Sequence, residues 1–140
     1  MTPVQSMLDA NPHGPGSLDK AKLVECIQAC FECAQTCTAC ADACLSEEMV
    51  AELTSCIRTN LDCVDVCVAA GKILSRHPDH NADMTRAVLE ACRTACRACA
   101  DDCGPHASMH RHCGECAEAC RRCEQACNEA AQSIGEPALA

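Results

Sequence analysis

The 140-residue chain predicts an all-α protein, an antiparallel up-down-up-down four-helix bundle with a cysteine-lined core. Two observations carry that prediction: four segments bear a helical stripe of apolar or cysteine residues, and short breaks rich in polar, proline and glycine residues separate them. A third observation sets the character of the interior. Cysteine fills 18 positions, Trp and Tyr are absent, and Phe31 is the single aromatic, so large apolar side chains cannot fill the core.

The elements follow in order. Residues 1–16, with Pro3, Pro12, Gly14, Pro15 and Gly16, read as a flexible arm, residues 17–135 as the bundle, and residues 136–140 as a tail. Ser17 is the expected N-cap of a first helix running from about Leu18 to Leu45 and ended by Ser46-Glu47-Glu48. A second helix spans about Met49 to Ser75 and stops before His77-Pro78-Asp79. A third, N-capped by Asp83, extends to Cys103, and Gly104-Pro105 separates it from a fourth, from about Ala107 to Ile134. Connections this short favour antiparallel neighbours.

The cysteine spacing is the most informative pattern. In the first helix Cys26, Cys30, Cys33, Cys37, Cys40 and Cys44 follow intervals of four, three, four, three and four. Cys92, Cys96, Cys99 and Cys103 repeat the pattern in the third helix, and Cys113, Cys116, Cys120, Cys123 and Cys127 in the fourth. Each set therefore lies on one helix face, as the core positions of a heptad do. The second helix is sparser, its stripe reading Leu53, Cys56, Asn60, Cys63, Cys67, Ala70 and Leu74, with an asparagine in a cysteine-like position.

Three uses of these cysteines compete. As small buried hydrophobes they would leave an underfilled core, because a thiol buries less apolar surface than leucine. As disulfides within a helix they would be strained: Cβ atoms three or four residues apart lie about 5–6 Å from each other, against about 3.8 Å in a disulfide; bridges between helices remain possible, but contiguous thiol ladders invite scrambling and a reducing cytosol opposes them. Metal ions close that gap, since two metal–sulfur bonds of about 2.3 Å, with zinc–thiolate as proxy, span roughly 4.6 Å when linear. Pairs such as Cys33/Cys37, Cys63/Cys67 and Cys123/Cys127 suit such bridging. Thiolates select copper(I), zinc and iron–sulfur clusters. Zinc bound by four thiolates leaves two negative charges per site, and Arg93, Arg97, Arg121 and Arg122 fall between the cysteine positions, not among them. Copper(I) replaces thiol protons one for one and leaves the interior neutral. Iron–sulfur clusters use cysteines on loops that wrap a compact cluster, whereas these sulfurs form rows. The CxxC units belong to a longer 3-4 repeat and lack the βαβ context of a thioredoxin-like redox site.

Net charge and hydropathy exclude other classes. A formal charge of −9 disfavours nucleic-acid binding, which needs clustered Lys and Arg. No apolar run approaches the roughly 20 residues of a membrane span. Residues Met1 to Lys20 carry neither a basic n-region nor an apolar h-region, which predicts a reducing cytosol and reduced thiols.

The CxxxCxxCxxxC ladders of the first, third and fourth helices resemble those of the bacterial copper storage proteins, over about Leu18 to Ile134. The resemblance, closest to the family's cytosolic branch, implies a cysteine-rich bundle that binds many copper(I) ions. It also implies a homotetramer, which nothing in the sequence shows independently.

In an up-down-up-down bundle one end gathers Cys44, Met49, Cys103, His106, Met109 and His110. Stepping back from Cys113 by four and then three reaches Met109 and His106, so these residues and His110 are the expected copper entrance, as at the mouth of the resembled family. The other end receives Leu23, Ile73, Leu74, Val88, Leu89 and Ile134, an apolar plug. His13, His77, His80 and His112 read as surface histidines, Met7 and Met84 as packing residues, and Asn60 as either a polar register device or an oxygen ligand.

The resulting expectation is a non-catalytic, cytosolic store and buffer of copper(I), with all eighteen cysteines and His106, Met109 and His110 as ligands. The expected partners are copper ions, further copies of the chain, and a copper chaperone as donor or recipient. The alternatives are metallothionein-like zinc sequestration and a thiol redox sensor, the latter needing one or two activated cysteines beside a basic group.

Overall fold

A computed structural model describes residues 2–76 and 78–134. The described residues are all-helical, with five α-helices and no strand: α1 (Pro3–Ala10), α2 (Lys20–Leu45), α3 (Thr54–Ser75), α4 (Ala82–Cys103) and α5 (Arg111–Gln132). No helix among them is long and apolar enough to cross a membrane. The four long helices form a closed ring of neighbours, α2 against α3, α3 against α4, α4 against α5 and α5 against α2. The heptad stripes face the centre of this ring, so the core is built from cysteines. Leu23, Leu74 and Leu89 are fully buried in that core, with Val88 in the same cluster and the partly buried Ile73 and Ile134 packed against it.

The N-terminal arm departs from expectation. Residues 3–10 form a helix, because Thr2 and Gln5 make a reciprocal capping box and Pro3 occupies a first-turn position where its missing N–H costs nothing. Leu8 is 4% exposed and joins the core cluster. Gly16 then turns the chain at φ +68°, and the backbone N–H and hydroxyl of Ser17 donate to the Asp79 carboxylate at 2.6 and 2.7 Å. A Cβ at Gly16 would lie 2.5 Å from Asp79 Oδ2, so glycine is required on steric grounds as well as for its positive φ. Residues 135–140, and hence the expected tail, lie outside the described residues, as does His77.

Helix starts also move. Asp19 caps α2 by accepting from Lys22 N–H, in place of Ser17, whose hydroxyl is engaged by Asp79. Asn81 caps α4 by accepting from Met84 N–H, in place of Asp83. The second and fourth helices begin later than predicted, since one-turn 3-10 segments at Val50–Glu52 and Gly104–His106 precede them.

Candidate metal centre

The bundle places all eighteen cysteines in its interior. Their sulfurs meet mainly across helices. Cys33 Sγ lies 3.8 Å from Cys63 and 3.7 Å from Cys120, and Cys37 Sγ lies 3.6 Å from both Cys116 and Cys120. Cys67 Sγ is 3.8 Å from both Cys92 and Cys96, and Cys26 is 3.7 Å from Cys127. Contacts within one helix are shorter than the linear bridge that spacing suggests: Cys33 to Cys37 is 3.8 Å, Cys40 to Cys44 3.9 Å, and Cys63 to Cys67 3.7 Å. Sulfurs sharing one metal at bonds of about 2.3 Å lie roughly 3.8–4.0 Å apart in tetrahedral or trigonal geometry, so the rows already have the spacing of thiolate clusters.

Sets of four sulfurs lie within 4.8 Å of one another, including Cys30/Cys92/Cys123/Cys127, Cys33/Cys63/Cys67/Cys96, Cys33/Cys37/Cys63/Cys120, Cys37/Cys99/Cys116/Cys120 and Cys40/Cys44/Cys56/Cys113. Cys33, Cys37, Cys63 and Cys120 each belong to two of these sets, which joins three of them into one run. The charge argument holds in three dimensions. Asn60, Thr85 and His110 are the only polar or charged side chains buried among the described residues, so no Lys or Arg offsets a charged zinc site. Arg97 and Arg121 pair outside with Glu124 at 2.9 Å and Asp101 at 2.7 Å.

Crowded sulfurs divide their protons unevenly. Hydrogen bonding with Cys127, and then with Cys30, draws the Cys26 thiol down to about 5. Cys116 draws Cys40 down to about 5 against the effect of burial, with His112 adding to it. Burial first, and the charge of Cys40 second, push Cys44 up to about 11. Neighbouring thiols are thus pulled in opposite directions by the hydrogen bonds they share, and a bound soft cation takes the place of the protons they hold.

One expectation needs correcting. Cys56 and Cys103 are joined as a disulfide, with Cα atoms 5.5 Å apart, while the other sixteen cysteines are free. The bond joins the first turn of α3 to the last turn of α4, a neighbour relation that spacing within each helix cannot reveal. While joined, these two offer no thiolate.

Asn60 is wholly buried and takes its place in the file as an acceptor. Its Oδ1 lies 3.0 Å from Cys99 Sγ, 2.9 Å from Cys116 Sγ and 3.6 Å from Cys103 Sγ.

The expected entrance is arranged differently from the stepping rule. The 3-10 turn at Gly104–His106 and the extended backbone of His110, at φ −132° and ψ 107°, break the helical period before α5. Met109 is consequently 63% exposed and His106 half-buried, so neither continues the cysteine row. His110 is buried, its Nδ1 3.3 Å from Glu47 Oε2. His112, read from sequence as a surface residue, turns inward. Its Nδ1 lies 3.4 Å from Cys40 Sγ, 3.6 Å from Cys113 and 4.0 Å from Cys44, while its Nε2 is 3.3 Å from Glu47 Oε1. Burial alone would lower the His112 pKa, but hydrogen bonds with Cys40 and Glu47 and the charges of both raise it above the ordinary value. The extended residue at His110 was the signal for this: alternation across it stacks His110 and His112 at 5.6 Å between ring centroids. His13 and His80 are exposed, as expected.

A helical bundle whose interior brings buried sulfurs together in overlapping sets, with no buried Lys or Arg among the described residues, has the build of a multinuclear soft-metal binding protein. Comparison with known proteins agrees. The chain is similar to Ccsp, the copper storage protein of Streptomyces lividans, in its form loaded with 10 copper equivalents, at 55% identity and TM-score 0.91, over 94% of this chain and 99% of that one. The same cytosolic protein bearing five coppers matches at 59% identity and TM-score 0.80, over 82% of this chain and 96% of that one. The Cu(I)-bound copper storage protein BsCsp3 matches at 34% identity and TM-score 0.67, over 76% of this chain and 94% of that one. Comparison with curated proteins found none that matches. Residues 19–132 match the copper storage protein (Csp) family, and the chain belongs to that family.

Proposed function

We propose that this protein stores and buffers copper(I) in the cytosol, holding many ions at once on the thiolates of its interior. The observation that carries the proposal is the sharing of buried sulfurs between adjacent four-sulfur sets, which suits a multinuclear cluster better than separate sites. The sixteen free cysteines are the proposed ligands, joined by Cys56 and Cys103 once reduced. Copper enters at the mouth, received by His110 and His112 with His106 and Met109 around the rim. The four long helices run up-down-up-down, which sets that mouth opposite the aliphatic plug. The role is non-catalytic, and no step of covalent chemistry on a substrate is assigned to any residue. Copies of the chain assemble as a homotetramer, in keeping with the family resemblance, and a copper chaperone serves as donor or recipient.

Anaerobic titration of the reduced protein with copper(I) against a competing chelator tests the reading. At least the 10 equivalents carried by the Streptomyces relative are expected per chain. Saturation at one or two ions would refute storage. Tight zinc uptake at about one ion per three to four thiols would favour zinc sequestration instead.

A further inference from the structure

Glu47 stands in the turn after α2, its backbone N–H donating to Cys44 carbonyl at 3.2 Å, and its side chain is 34% exposed. Both carboxylate oxygens are engaged at the mouth: Oε2 lies 3.3 Å from His110 Nδ1 and Oε1 lies 3.3 Å from His112 Nε2. A neutral imidazole carries one N–H donor and one lone-pair acceptor. A carboxylate can only accept, so in each neutral ring the contacting nitrogen is the protonated one. The two rings are thereby held in opposite tautomers, His110 as Nδ1–H and His112 as Nε2–H.

In the neutral rings, the nitrogens left with lone pairs are the ones in position to meet a metal. His112 Nδ1 faces Cys40, Cys113 and Cys44 at 3.4–4.0 Å. His110 Nε2 is buried without any hydrogen-bond partner, a costly arrangement for a polar atom unless something binds it. We infer that Glu47 is a positioning residue that locks these complementary tautomers, so that the mouth presents two unprotonated nitrogens to copper(I) before the ion reaches the thiolates. The inference rests on the storage reading and deepens it. It uses the general behaviour of carboxylates hydrogen-bonded to metal-binding histidines, whose loss typically costs 10- to 100-fold in affinity or activity. A carboxylate that only closed the turn would have no need to engage both rings at their donor nitrogens.

The test compares wild type with Glu47→Gln, Glu47→Ala and a control, Glu48→Gln, which alters an exposed carboxylate next in sequence. Nitrogen-15 NMR of the metal-free proteins, at a pH where both imidazoles are neutral, reads the tautomers. Stopped-flow loading from a copper(I)–chelator complex reads the rate, and anaerobic titration the capacity. The wild type and the control are expected to show a single tautomer at each ring and equal loading rates. The Glu47 variants are expected to show mixed tautomers and loading slowed by about 10- to 100-fold with final capacity unchanged. Wild-type loading rates in Glu47→Gln and Glu47→Ala would overturn the inference. So would slower loading with tautomers unchanged, since that indicates a merely structural role. Wild-type capacity of one or two ions would defeat the storage reading itself, whatever the tautomers show.

Discussion

Replacing a single asparagine tests how the file of sulfurs is ordered. Asn60 sits where the stripe of α3 calls for a cysteine and accepts from Cys99 and Cys116 at 3.0 and 2.9 Å. Truncation in Asn60→Ala strands buried donors and opens a void, so the metal-free protein should lose about 1–3 kcal/mol of stability. Urea unfolding would show this as a lower midpoint at unchanged slope. At this scale the inward facing of the cysteines was legible, because a 3-4 interval on a helix can only mean one face. His112 was not. Its neighbour Cys113 owns the inward position of an ideal helix, yet in the first turn of α5 the mouth leaves room for the imidazole to reach α2. Met109 failed in the opposite direction, since counting back in helical steps assumes a helix that had not begun.

Among the elements, α1 shows what local sequence signals hide and reveal. Proline and glycine between residues 3 and 16 suggest a loose arm, but Thr2-Pro3 followed by Gln5 is also a helix start, and only packing decides between the two. The decision is made by Leu8, buried in a groove that Pro3, Val4, Ile27 and Phe31 also line. Eight residues are too few to be helical alone in water. In Leu8→Ala the amide-exchange protection of Pro3–Ala10 should collapse while α2 to α5 keep theirs; retained protection would show that the cap and the Ser17–Asp79 clasp suffice. The long helices themselves were read to within a few residues at their C-terminal ends. Their starts were harder, because competition among Ser17, Asp19, Asn81 and Asp83 for the cap is settled by tertiary partners such as Asp79.

For the whole molecule, a core of small side chains makes metal and fold interdependent. Large apolar groups are few, and the cysteines and alanines that make up most of the interior gain less from burial. Ions that bind only the folded form shift its stability by mass action, about 4 kcal/mol for one site at free copper a thousandfold above its Kd. Loading should therefore raise the melting temperature progressively with each equivalent, as calorimetry can measure; equal melting of empty and loaded protein would contradict this coupling. The all-helical fold and its sulfur interior were visible in the chain's periodicity, whereas the pairing of Cys56 with Cys103 depended on which helix ends meet. One consequence concerns movement along the axis. Because Cys33, Cys37, Cys63 and Cys120 each serve two neighbouring sets, an ion can step between those sets by trading sulfurs while keeping hold of the shared ones. Movement along that stretch then never requires a hydrated, unligated ion, and the same handrail serves filling and emptying without exposing copper to water.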